Sequence, residues 1–177
     1  GRRTANEVLA ATVADAVITG RVTRDKKSIS VDLRLAVRGA KSVMFPSITT
    51  KVMEYPQLKL DALLLVGDVL DAVILKDGAW RLDGLTEDVS SQDRIDAGGA
   101  SLISGDLTRA SLLFSLALQS RETPDAVLGL GRTRLAQRRF DEATALLRKV
   151  VKGRSEPPVY QALAQAYQSN PRILAAR

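Results

Sequence analysis

Residues 128–151 read LGLGRTRLAQRRFDEATALLRKVV, and the stretch has a counterpart upstream. The segment RRFDEATALLRKV (138–150) aligns with GDLTRASLLFSLA (105–117) when one is shifted by 33 positions. Leu107 then falls on Phe140, Ala110 on Ala143, Phe114 on Leu147 and Ala117 on Val150. The same shift places Gly98 on Gly131 and Ala97 on Leu130. A second shift carries Leu130 to Leu163, Gly131 to Ala164 and Arg134 to Tyr167. Breaks fall at Pro124 and at Pro157-Pro158. Packing accounts for this pattern. Two helices in a hairpin approach closely only where their crossing residues are small, a role given to Gly98, Gly131 and Ala164 on the first helix and to Ala110 and Ala143 on the second. Bulky residues seal the seam to the next unit. No unit buries its apolar face alone, so the units stack.

This segment resembles tetratricopeptide repeats. Leu130-Gly131 match the first helix, Phe140 and Ala143 the entry to the second, and Val150 its end. GDLTRASLLFSLAL (105–118) is similar to the second helix of a preceding unit, and VYQALAQAY (159–167) to the first helix of a following one. The spacing is 33 where the family usually has 34, Arg138 stands at the family's small turn residue, and SSQDRIDAGGASLIS (90–104) matches least. The resemblance implies units at about 91–123, 124–156 and a partial 157–177. It also implies a concave groove lined by Asp125, Leu128 and Arg132, with Gln161 and Gln165 at equivalent places in the last unit. Arg132 would clamp a carboxylate. The two glutamines would pair with an extended peptide backbone, because an amide both donates and accepts.

The first half has a different period. In ADAVITGRVTRDKKSISVDLRLAVRG (14–39), Ile29, Val31, Leu33, Leu35 and Val37 alternate with Ser30, Asp32, Arg34 and Ala36. That is a strand with one buried face. Val17 to Thr23 is its hairpin partner across Asp25-Lys26-Lys27, and a short helix over Ala5 to Ala14 precedes them. KSVMFPSITTKVMEYP (41–56) reads as extended, broken or at an edge at Pro46. Val69 to Leu75 and Ala79 to Leu82 read as a hairpin turned by Lys76-Asp77-Gly78. Leu58 to Val66 is either a strand turned at Gly67-Asp68 or a helix laid across the sheet. VADAVITGRVTRDKKSISVDLRLA (13–36) is similar to a helix–strand–strand segment in the N-terminal domain of TolB-like envelope proteins, which implies a bacterial envelope setting. Residues 40–90 add nothing to that likeness. The fold class is therefore an α+β domain over 1–90, a small antiparallel or mixed sheet with a helix, followed by an all-α tetratricopeptide-like array over 91–177.

Chemistry is sparse. The 177 residues include no Cys and no His, which removes thiolates, imidazole bases and the commonest zinc ligands. No Walker loop, G-x-G-x-x-G or G-x-S-x-G occurs. Asp68 with Asp71, and Glu87 with Asp88, are the available carboxylate pairs; the first reads more simply as bracketing a turn or polar face, the second as the polar link into the helical array. The glycines of DAGGAS (96–101) read as helix contacts, with no lysine to hold phosphate. Trp80 reads as the closure of a core edge. Residues 101–177 hold 12 Lys and Arg against 6 Asp and Glu, whereas residues 1–100 hold 14 of each. The basic patch of Arg134, Arg138 and Arg139 lies in GRTRLAQRR (131–139), with Arg134 and Arg138 placed on one helix face. Nucleic acid is disfavoured, because the run lacks exposed aromatics for base stacking.

The expectation is a non-enzymatic interaction or assembly scaffold that takes no cofactor and no metal. Its partner would be another protein or an extended peptide segment, with self-association open. Alternatives are a ligand-sensing regulatory domain built on the sheet half, and an anionic-polymer binder built on the arginine run. No run of residues is long and apolar enough to span a bilayer. Periplasm or cell envelope, as in a lipoprotein, stands ahead of cytoplasm, and the opening Gly-Arg-Arg reads as a cut inside a longer protein.

Overall fold

The computed structural model describes residues 5–11, 14–40, 42–51, 55–74, 81–82, 84–86, 88–153 and 156–171. The chain divides into two compact units, Gly1–Val89 and Ser90–Arg177.

In the first unit a helix, α1 (Ala5–Ala11), precedes the expected hairpin of β1 (Ala16–Arg24) and β2 (Ser28–Val37). The hairpin turns where Asp25 folds back on its own chain. Its carboxylate accepts from the Lys27 and Ser28 amides at 2.7 Å each and from the Ser28 hydroxyl at 2.8 Å. These bonds tie the three-residue link Asp25-Lys26-Lys27 and set the register, with Ile18 opposite Leu35 and Val22 opposite Val31. β2 is central: β1 pairs along one side, and β3 (Val43–Met44) and β4 (Ile48–Lys51) pair antiparallel along the other. Pro46 lies between the two short strands, in keeping with its missing N–H. Ile29, Leu35, Val37, Val43 and Phe45 are buried and Val31 and Leu33 half-buried, so one face of β2 turns to the core as the alternation predicts; Ala36, on the opposite face, is buried as well.

The first strand of the hairpin expected from Val69 is helical over Val69 to Val73. Tyr55–Val73 is one helix, α2, so Val69 to Val73 are helical and Leu58 to Val66 take the helical alternative. Leu58, Val69, Ala72 and Val73 are buried while Asp68 and Asp71 are exposed, which is a helical stripe rather than an alternation. Gly67 sits inside this helix in open space, at a cost of about 1 kcal/mol relative to alanine that the buried stripe overrides. Arg81 and Leu82 lie outside any strand. Lys76-Asp77-Gly78, Ala79 and Trp80 fall outside the described residues, as does Glu87.

The second unit is a stack of helices: α3 (Ser91–Ser104), α4 (Leu107–Ser120), α5 (Pro124–Ala136), α6 (Phe140–Val151) and α7 (Pro157–Ser169). First helices begin at 91, 124 and 157 and second helices at 107 and 140, so each start recurs after 33 residues. The starts follow from chemistry. Ser90 Oγ accepts from the Asp93 amide and Thr123 Oγ1 from the Ala126 amide. Pro124 and Pro157 stand at the first helical position, where no N–H is needed.

The interhelical turn recurs with the same period. Gly105 N donates to Leu102 O and Asp106 N to Ser101 O. One period on, Arg138 N donates to Leu135 O and Arg139 N to Arg134 O. Both are Schellman closures around a left-handed residue, Gly105 at φ 82 and Arg138 at φ 63.

The seam is a matched set of large and small residues. Phe114 lies between Gly98 of its own unit and Gly129 of the next: a Cβ would stand 3.0 Å from its ring at the first and 2.2 Å at the second. In the next seam Leu147 replaces the ring. It lies against Gly131 and clusters with Ala143, Ala162 and Ala166. The smaller Leu147 thus goes with Ala162 where the larger Phe114 requires Gly129. Gly98 and Gly131 are crossing residues as expected, but Ala164 is exposed.

Candidate partner-binding groove

A cavity of about 890 Å³ opens within the helical unit, between α5 and α7 and beside the turn joining α5 to α6. Leu102, Leu135, Phe140 and Ala162 give it an apolar lining, and Arg132, Arg138, Gln161 and Gln165 add polar groups. The repeat geometry brings these together. Arg132 lies late on α5, while Gln161 and Gln165 are one helical turn apart and exposed on α7. Arg138 reaches the same cavity from the left-handed turn.

Among the described residues no aspartate or glutamate lines this cavity. Arg132 Nη2 donates to the Pro158 carbonyl at a long 3.5 Å. Arg132 and Arg138 thus both border a space that no described carboxylate lines. Such a space attracts anions, and an arginine can meet a carboxylate with two parallel N–H donors.

The other sequence-derived groove residues sit elsewhere. Asp125 is exposed in the first turn of α5 and does not line the cavity. Leu128 is half-buried and packs against the clusters that hold α5, α6 and α7 together. Of the five residues placed in the groove by resemblance, Arg132, Gln161 and Gln165 meet at one cavity. Phe140, Leu102 and Leu135 were missed, because a single sequence shows them only as seam positions.

The arginine run does not form one surface. α5 ends at Ala136, so Arg138 is not on a shared helix face with Arg134. Its positive φ turns it away. Arg134 and Arg139 converge on one carboxylate: Arg134 Nε lies 3.2 Å from Glu142 Oε2, and Arg139 Nη2 lies 2.7 Å from Glu142 Oε1. Arg134 also donates to Gln137 Oε1 at 2.7 Å. Two members of the patch thus share one carboxylate, and of the three only Arg138 lines the cavity.

No family model, curated protein or solved structure matches this chain. Among the described residues, no group of three or more His, Cys, Asp or Glu could hold a metal ion. No described helix is long and apolar enough to cross a membrane. Asp68 and Asp71 are exposed on α2.

Proposed function

We propose that the protein is a non-enzymatic interaction or assembly module whose helical unit holds an extended segment of another protein. The observation that carries this reading is the cavity in which Arg132, Arg138, Gln161 and Gln165 join an apolar lining, with no carboxylate among the described lining residues. An extended segment offers unpaired backbone amides, which the two glutamines satisfy as donors and acceptors. A carboxylate side chain on that segment pairs with a guanidinium, and an apolar neighbour fills the space against Phe140 and Leu135. The 33-residue recurrence of helix starts and turns supports a tetratricopeptide-like array. The setting we propose is a bacterial envelope, on the similarity of residues 13–36 to TolB-like proteins.

The test uses the chain and an Arg132→Glu, Gln165→Ala variant as paired baits in a lysate of the source cells, matched for fold by circular dichroism. A protein retained by the first and lost by the second, with retention that weakens as salt rises, supports the groove. Identical material on both baits removes it.

A further inference from the structure

β1 is an edge strand. Its nine residues pair with β2 on one side, and among the described residues no strand pairs with the other. The hydrogen bonds at its two ends show which backbone groups point outward. Asp25 N donates to Ser28 O at 3.0 Å, and Arg38 N donates to Asp15 O at 2.8 Å. In an antiparallel ladder, bonded pairs alternate with unbonded ones. Between those ends Val17, Thr19, Arg21 and Thr23 therefore bond to β2. The N–H and C=O groups of Ala16, Ile18, Gly20, Val22 and Arg24 face the open edge. The side chains there are also uncovered: Val22 is 67% exposed and Ile18 38%. A long edge with exposed aliphatic side chains is a template for another strand.

We propose that β1 pairs antiparallel with β1 of a second copy of this chain, Gly20 facing Gly20 across a two-fold axis. This register is singled out by the strand itself. It is the one that uses all nine residues, and it sets outward-facing backbone groups against outward-facing ones. Ile18 then faces Val22 of the second copy, twice, on the face that carries Leu33. Gly20 has no side chain, and Leu33 lies over it so closely that a Cβ there would stand 2.8 Å from Leu33 Cδ2. Two leucines thus flank the axis, and two Ile18–Val22 pairs complete an apolar stripe. Arginines do not meet: Arg21 faces Thr19, and Arg24 faces Ala16. A slip of one residue would oppose outward groups to inward ones. Moving the sum of the paired residue numbers by two would set Ile18 against Gly20 or Arg24. A glycine inside a strand is expected where another backbone approaches closely.

Sedimentation tests the pairing directly. The chain should pass with rising concentration from the 19.1 kDa of one copy to twice that mass. Val22→Pro removes one outward N–H and should hold it at one copy. So should the Ile18→Lys, Val22→Lys pair, which sets lysine against lysine. The chain has no cysteine, so engineered thiols report the register. Facing residues in a bonded pair stand about 5.5 Å apart at Cα, within disulfide reach. Under oxidation an Ile18→Cys chain mixed with a Val22→Cys chain should cross-link, and either variant alone should not. A single copy at every concentration overturns the proposal. So does a dimer that survives both sets of substitutions, or cross-linking of Ile18→Cys with itself at the rate of the mixture.

Discussion

Substituting Gly129 by alanine should separate close packing from helix propensity. An alanine Cβ at 129 would stand 2.2, 2.4 and 2.6 Å from three ring carbons of Phe114. Carbon atoms settle at roughly 3.5 Å or beyond, so the ring must retreat by more than about 1 Å. It has little room, because it is buried and already close to Gly98 on the other side. Overpacking of this kind costs about 1–3 kcal/mol, and a buried aromatic ring held on both sides belongs at the upper end. Removing a glycine from a helix interior returns about 1 kcal/mol. The expected net loss is about 2 kcal/mol. Gly99→Ala is the control. Its Cβ meets nothing within 4 Å, so it should gain up to about 1 kcal/mol. The next seam suggests the repair, since it combines Leu147 with Ala162. Phe114→Leu should restore most of the stability lost in Gly129→Ala, giving a coupling of at least about 1 kcal/mol in a double-mutant cycle. The assay is urea unfolding followed by far-ultraviolet circular dichroism. If Gly129→Ala behaves like Gly99→Ala, or Phe114→Leu adds its cost to the first substitution without repair, the account of the seam is wrong.

Arg138→Gly should raise stability by about 0.5–1 kcal/mol, because a left-handed conformation costs an L-residue about 1–2 kcal/mol and glycine's extra unfolded freedom returns less than that. The same change should weaken capture of an acidic segment, so thermal unfolding and binding would move in opposite senses. The hydroxyl of Thr144 is buried with no hydrogen-bond partner among the described residues; Thr144→Val should be neutral or stabilising by up to about 1 kcal/mol in urea titration. The Asp25 carboxyl is held below its ordinary value of 3.8, first by the Lys27 amide and then by the Ser28 amide and hydroxyl. A lowered folded value means that its contribution is fully present above pH 3.8 and is lost as pH falls through the folded value. A carbon-detected titration should place its midpoint below 3.8, and Ser28→Ala should raise it.

The periodic parts of the fold were legible in the sequence, because each is fixed by spacing along the chain. The alternation from Ile29 to Val37, with Asp25 before two lysines, specifies a hairpin locally. The 33-residue recurrence around Gly98, Gly131, Ala110 and Ala143, with Pro124 and Pro157 at helix starts, specifies a stack of paired helices. Residues 58–73 were not legible in the same way. Leu60 to Val66 is a nearly continuous apolar run, and Gly67-Asp68 is a turn signal on its own. Only burial of Leu58, Val69, Ala72 and Val73 on one side makes it a helix. The groove was half legible: the family pattern points to Arg132, Gln161 and Gln165, but which side chains share a cavity depends on how α5, α7 and the intervening turn come together. That geometry sends Leu128 into packing, turns Arg138 toward the cavity through a left-handed backbone, and ties Arg134 and Arg139 to Glu142. Spacing along one chain determines local structure and period. Partners distant in sequence, and the charge a surface has left after pairing, are decided by tertiary contact.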